Sequence, residues 1–135
     1  MWEVEEYVRR RCKEENVLPL QIGVEGSIMD YPYATCCGLN DEVAHAFPRH
    51  YILKDGDLLK VDMVLSEPID KSVLDVSKLD FDNVAQVKKY TESYSGGLAD
   101  SCWAYAIGTP SDEVKKLMEV KREAMNLGIE QAVVG

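Results

Sequence analysis

The stretch "LLKVDMVL", Leu58 to Leu65, sets the reading of this chain. Its alternate positions Leu59, Val61, Met63 and Leu65 form one apolar face, so it reads as a β-strand covered on one side. Asp62 falls on the other face, with Leu58, Lys60 and Val64. A carboxylate amid an apolar strand is costly unless a positive charge or hydrogen bonds compensate it. Lys60 is one candidate, although residues two apart on a strand stand roughly 7 Å apart, long for an ion pair. A second carboxylate, Asp100, sits in a similar setting within "GGLADSCWAY", Gly96 to Tyr105, where Leu98 to Ile107 alternates as another strand. If the two strands pair, Asp62 and Asp100 suit a divalent cation held between them. The alternative is that each is bonded to backbone amides or neutralised by Lys60.

Outward from these strands, "KDGD" (Lys54 to Asp57) reads as a tight turn with Gly56 free to take positive φ. Tyr31 to Leu39 has β character. Trp2 to Asn16 reads as a helix whose buried stripe is Val4, Tyr7, Val8 and Cys12. At the other end, Ser111 is an N-cap for an amphipathic helix reaching about Val134. Ser66 to Ser95 is polar, with six acidic and four basic residues and one helical stretch around Asp82 to Tyr90. It reads as a partly ordered insertion at the sheet edge, since a structureless loop of that length is unusual in a compact domain. The order of elements predicts an α+β fold, an antiparallel sheet covered by helices.

The 135 residues allow one domain or less, and 46% hydrophobic content is enough for a core. A net charge of −9 argues against nucleic-acid or anionic-membrane partners. No apolar run approaches a membrane span, and the acidic N-terminus lacks the features of a signal peptide. Cys12, Cys36, Cys37 and Cys102 contain no CxxC, which is poor for a disulfide framework or a zinc site; a cytoplasmic setting is the simplest expectation. Cys36 and Cys37 have no local base or cation to make a nucleophile, so core or pocket lining suits them better. Tyr31, Cys36 and Trp103 could line a pocket for an unbranched thioether, or simply pack in the core. His45, between two alanines before Pro48, is either a structural residue or a donor to a substrate carbonyl or amide.

Four stretches together resemble the type I methionine aminopeptidases: "YPYATCCGLNDEVAHAFP" (Tyr31 to Pro48), "LKDGDLLKVDMV" (Leu53 to Val64), "GGLADSCWAYAIG" (Gly96 to Gly108) and "LGIEQAVVG" (Leu127 to Gly135). The resemblance implies the first half of a pita-bread fold, built in the family from two pseudo-symmetric halves. It implies a partial aminopeptidase-like domain over residues 1–135, with a 66–95 insertion of the kind carried by a bacterial subgroup. In the family the two aspartates lie much closer in sequence than the 38 residues that separate them here.

The implied activity is that of a methionyl aminopeptidase, a metalloexopeptidase that hydrolyses the initiator methionine from nascent peptides. The family site holds two divalent metal ions (Co, Mn, Fe or Zn) through two Asp, one His and two Glu. By resemblance Asp62 holds one metal and Asp100 bridges both. His45 contacts the scissile amide, and Tyr31 and Cys36 line the methionine pocket. Family glycines stand where Ala46 and Ala99 do, so the resemblance implies that a methyl group at either place crowds the backbone beside the site. The remaining family ligands, including the Glu general base, belong to a second half with no counterpart in this sequence. The expectation is therefore negligible turnover by this chain alone, weak metal binding, and self-association or pairing with a C-terminal half through a bare apolar face. A non-catalytic binding scaffold, or an inert truncated product, of the same fold is the alternative.

Overall fold

A computed structural model describes residues 1–134. Its elements are α1 (Trp2–Glu15), β1 (Cys36–Leu39), β2 (Leu58–Ser66), a 3-10 turn (Val76–Lys78), α2 (Val84–Ser93), β3 (Leu98–Ala106) and α3 (Asp112–Glu130). The three strands form one antiparallel sheet in the order β1-β2-β3. The fold is α+β and corresponds to half of a pita-bread architecture.

The alternation in "LLKVDMVL" sorts the sheet's two faces. Leu59 and Val61 of β2 pack with Cys37 and Leu39 of β1 and with Met1, Val4, Tyr51 and Leu53. A second cluster joins Val8 and Cys12 of α1 to Leu18, Ile22 and Ala34, and to Val76, Leu79, Phe81 and Val87. The last four belong to the polar-looking segment after β2. That segment is therefore folded into the core rather than placed at a sheet edge. Its apolar residues are too widely spaced to register as a periodic stripe, yet all four are buried. Asn16, the left-handed C-cap of α1, fastens it: Nδ2 donates to the carbonyls of Ile69 and Leu74, and Oδ1 accepts from Val76 N–H.

The buried stripe of α1 is rotated from its predicted position. Tyr7 is exposed and Glu5 is fully buried. Glu5 accepts hydrogen bonds from the Ala34 and Thr35 amides and from Thr35 Oγ1, and pairs with Arg9. These bonds also explain why Tyr31 to Leu39 is strand only from Cys36. The earlier residues give their backbone groups to other partners: Tyr31 O accepts from Gly23 N–H, and Pro32 O from Arg9. The "KDGD" turn forms as read, with Gly56 at φ 88° and Asp57 N–H donating to Lys54 O. Ser111 caps α3 by accepting from Val114 N–H, and α3 ends at Glu130, short of Val134.

Candidate metal and substrate site

The pairing of β2 with β3 decides whether the two aspartates can meet. Asp62 stands opposite Cys102, and Val64 opposite Asp100. Residues directly opposite share a face, and residues two apart on one strand share it too. Asp62 and Asp100 therefore lie on the same face as diagonal neighbours, a relation that places such positions roughly 7–8 Å apart at Cα. Cys36 of β1 pairs with Asp62 on its other side and joins that face.

This face opens into a cavity of about 520 Å³ lined by Tyr31, Cys36, His45, Phe47, Asp62 and Asp100, with Gln21, Val64 and the loop Val24 to Met29 completing it. All five residues singled out from the sequence thus border one space. Trp103, also considered there, lies on the opposite face against Met118, Arg122 and Met125 of α3. The sequence reading missed Gln21, Phe47 and the loop. Phe47 was within reach, two residues from His45 in the same motif. The loop carried only Gly26, with Gly23 just before it, as a mark.

The compensation expected of a structural Asp62 is missing. Lys60 Nζ donates instead to Asn40 O at 2.6 Å. Among the described residues, neither Asp62 nor Asp100 has an ion pair or a hydrogen bond from the protein. Burial pushes the Asp62 carboxyl above its ordinary range, and the charge of Asp100 pushes it the same way, with His45 opposing. Two mutually repelling carboxylates without protein donors are chemically suited to a cation from outside the fold. No group of three or more metal-ligating side chains occurs among the described residues, so the pair supplies only part of a coordination shell.

The apolar end of the cavity is held more firmly. The Tyr31 hydroxyl lies 3.0 Å from both Thr35 O and Ala46 O, and donates its one proton to either. It straps the turn bearing His45, itself at φ 55°, to the entry of β1. Burial pushes the Tyr31 phenol up, and it pushes the Cys36 thiol up as well. Cys36 Sγ accepts from Gln21 Nε2 at 3.3 Å. Both groups stay neutral near pH 7, so Cys36 serves as wall, not nucleophile.

No family model matches the chain. It is 28% identical over 133 residues to methionine aminopeptidase 1 of Bacillus subtilis, covering 98% of this chain and 41% of that protein. It is 26% identical over 137 residues to the methionine aminopeptidase of Aquifex aeolicus, covering 99% of this chain and 43% of the relative. A solved methionine aminopeptidase from Streptococci superposes with a TM-score of 0.89 and 82% identity, over all of this chain and 47% of its own. Because that match covers this chain completely, it includes the segment between the two aspartates. The chain is thus related along its whole length to the methionine aminopeptidases, and it spans a little under half the length of those it matches.

Proposed function

We propose that this chain contributes one wall of a methionine aminopeptidase site, which removes the N-terminal initiator methionine from nascent peptides. The observation that carries the reading is that two carboxylates without protein partners, Asp62 and Asp100, border the same cavity as the largely apolar wall of Tyr31, Cys36, Phe47, Ile28 and Met29. An unbranched thioether side chain fits walls of Tyr31, Cys36 and Phe47. The peptide's ammonium group would then lie toward the carboxylates, and His45 would face the first amide.

Asp62 and Asp100 would hold divalent metal, Asp62 on one ion and Asp100 bridging to a second. A divalent cation there supplies Lewis-acid polarisation of the scissile carbonyl and an activated water. Two carboxylates bind such ions weakly, so further donors must come from beyond these residues. The exposed face of β3 and α3, with Trp103, Tyr105, Leu117 and Ile129 open to solvent, supports pairing with the length of the relatives that this chain does not span. That no group of three or more metal-ligating side chains occurs among the described residues supports negligible turnover by the chain alone.

The test is a chimera in which this chain replaces the matching segment of the streptococcal relative. With Mn²⁺ or Co²⁺ it should release methionine from Met-Ala-Ser, whereas the isolated chain should not. Asp100→Asn should remove about 10³-fold or more of that activity, as loss of a metal-bridging carboxylate would. A folded but inert chimera would favour the binding-scaffold alternative.

A further inference from the structure

One wall of the cavity is the tip of the loop between Gly23 and Tyr31. The base of this loop is closed by two backbone hydrogen bonds, Gly23 N–H to Tyr31 O and Tyr31 N–H to Val24 O, both 2.8 Å. Beyond the base, residues 25–29 are exposed, Ile28 by 95%, and among the described residues none hydrogen-bonds to the rest of the protein. One side-chain tie lies where the tip returns to the base, at Asp30. Lys88 Nζ lies 2.9 Å from both carboxylate oxygens of Asp30.

Lys88 is on α2, within the segment that separates Asp62 from Asp100 in sequence. Three features fix α2 against the base of the loop. Val87 is fully buried in the core. Thr91 Oγ1 lies 3.1 Å from Ile22 O and 3.2 Å from Lys88 O, and donates its one proton to either. Gly23, at φ 91°, is pressed so close that an added Cβ would lie 2.7 Å from Lys88 Cβ. The Asp30–Lys88 pair is only partly open to solvent, with side-chain exposures of 33% and 24%. It competes with a longer contact from Lys88 to Glu92, at 3.6 Å. A helix anchored in the core therefore holds Asp30, the residue that ends a tip with no hydrogen bond of its own to the rest of the protein.

We infer that Asp30 and Lys88 are positioning residues for the cavity's apolar occupant, and that the segment between the two site aspartates acts as a brace on the cavity wall. The inference rests on the reading of the cavity as the seat of a methionine-like side chain. A wall held in place spares its occupant the entropy of ordering it. A loose wall charges that ordering to each binding event. The pair is partly open to solvent, so added salt weakens the brace.

The test uses the full 135-residue chain, with L-methioninol as probe, followed by NMR together with amide hydrogen exchange. In Lys88→Met the amides of residues 25–29 should exchange on the order of tenfold faster than in the wild type. The probe should bind about fivefold more weakly. The reversed pair, Asp30→Lys with Lys88→Asp, should restore both, which a general loss of stability would not allow. Unchanged exchange in Lys88→Met would overturn the brace. Faster exchange with unchanged probe affinity would overturn the positioning role. If the wild type fails to bind L-methioninol while Lys88→Met still loosens the tip, the brace stands and the reading of the cavity falls instead.

Discussion

β2 and β3 are each nine residues long and pair along their whole length, yet they live in different surroundings. On the β1–β2 side, Leu59 and Val61 are buried against Met1, Val4, Tyr51 and Leu53, and the fully buried Glu5 ties α1 to the entry of β1. On the β3–α3 side no residue of β3 or α3 is buried, and Trp103 and Tyr105 are about half exposed. The aspartates straddle this divide: Asp62 is half-buried on the finished side and Asp100 exposed on the bare one. A site built across such a boundary gets its geometry from one side. It needs the other side covered before its carboxylates are desolvated enough to bind strongly.

The comparison can be broken first at Glu5. Glu5→Ala would leave the buried Ala34 and Thr35 amides without their partner, and Arg9 with only Asp82 and the Pro32 carbonyl. A loss of about 3–5 kcal/mol is expected in urea denaturation, enough to unfold a marginal domain. A loss below about 1 kcal/mol would show that the network is not what joins α1 to β1.

Truncation in the two regions should then differ sharply. Phe81→Ala empties a buried position in the segment after β2 and should cost about 3–5 kcal/mol. Leu117→Ala, at 59% exposure on α3, should stay within about 0.5 kcal/mol. Equal costs would mean that α3 is covered in solution.

A smaller effect separates the cysteines. Burial pushes the Cys12 thiol up to about 12 and raises those of Cys36 and Cys37, while Cys102 is exposed on β3. Near pH 8 the native chain should therefore be alkylated at one cysteine, Cys102, with the other three reacting only on unfolding, as mass mapping of the labelled peptides would show. Rapid labelling of Cys36 would place its thiol in open solvent and weaken its role as cavity wall.

The sequence made the strands legible because β2 carries a clean alternation and a diagnostic turn before it. The pairing of Asp62 with Asp100 was legible only as a condition, since register depends on which strands meet. The brace from α2 was hidden. Val76, Leu79, Phe81 and Val87 reach the core from a segment whose composition is polar, and the partner of Lys88 lies 58 residues away. The burial of Glu5 was hidden for a related reason: helical periodicity sorts apolar side chains and has no means of marking a carboxylate buried to satisfy backbone amides.

The central claim is that Asp62 and Asp100 act as one cation-binding pair. Paramagnetic broadening by Mn²⁺ tests it most directly, because it detects weak binding without requiring turnover. In the wild-type chain, low Mn²⁺ should broaden the Val64 methyl and His45 ring signals together. Asp62→Asn and Asp100→Asn should each raise the Mn²⁺ needed by about tenfold, and the double substitution should add little more. Broadening centred elsewhere, or unaffected by either substitution, would contradict the account.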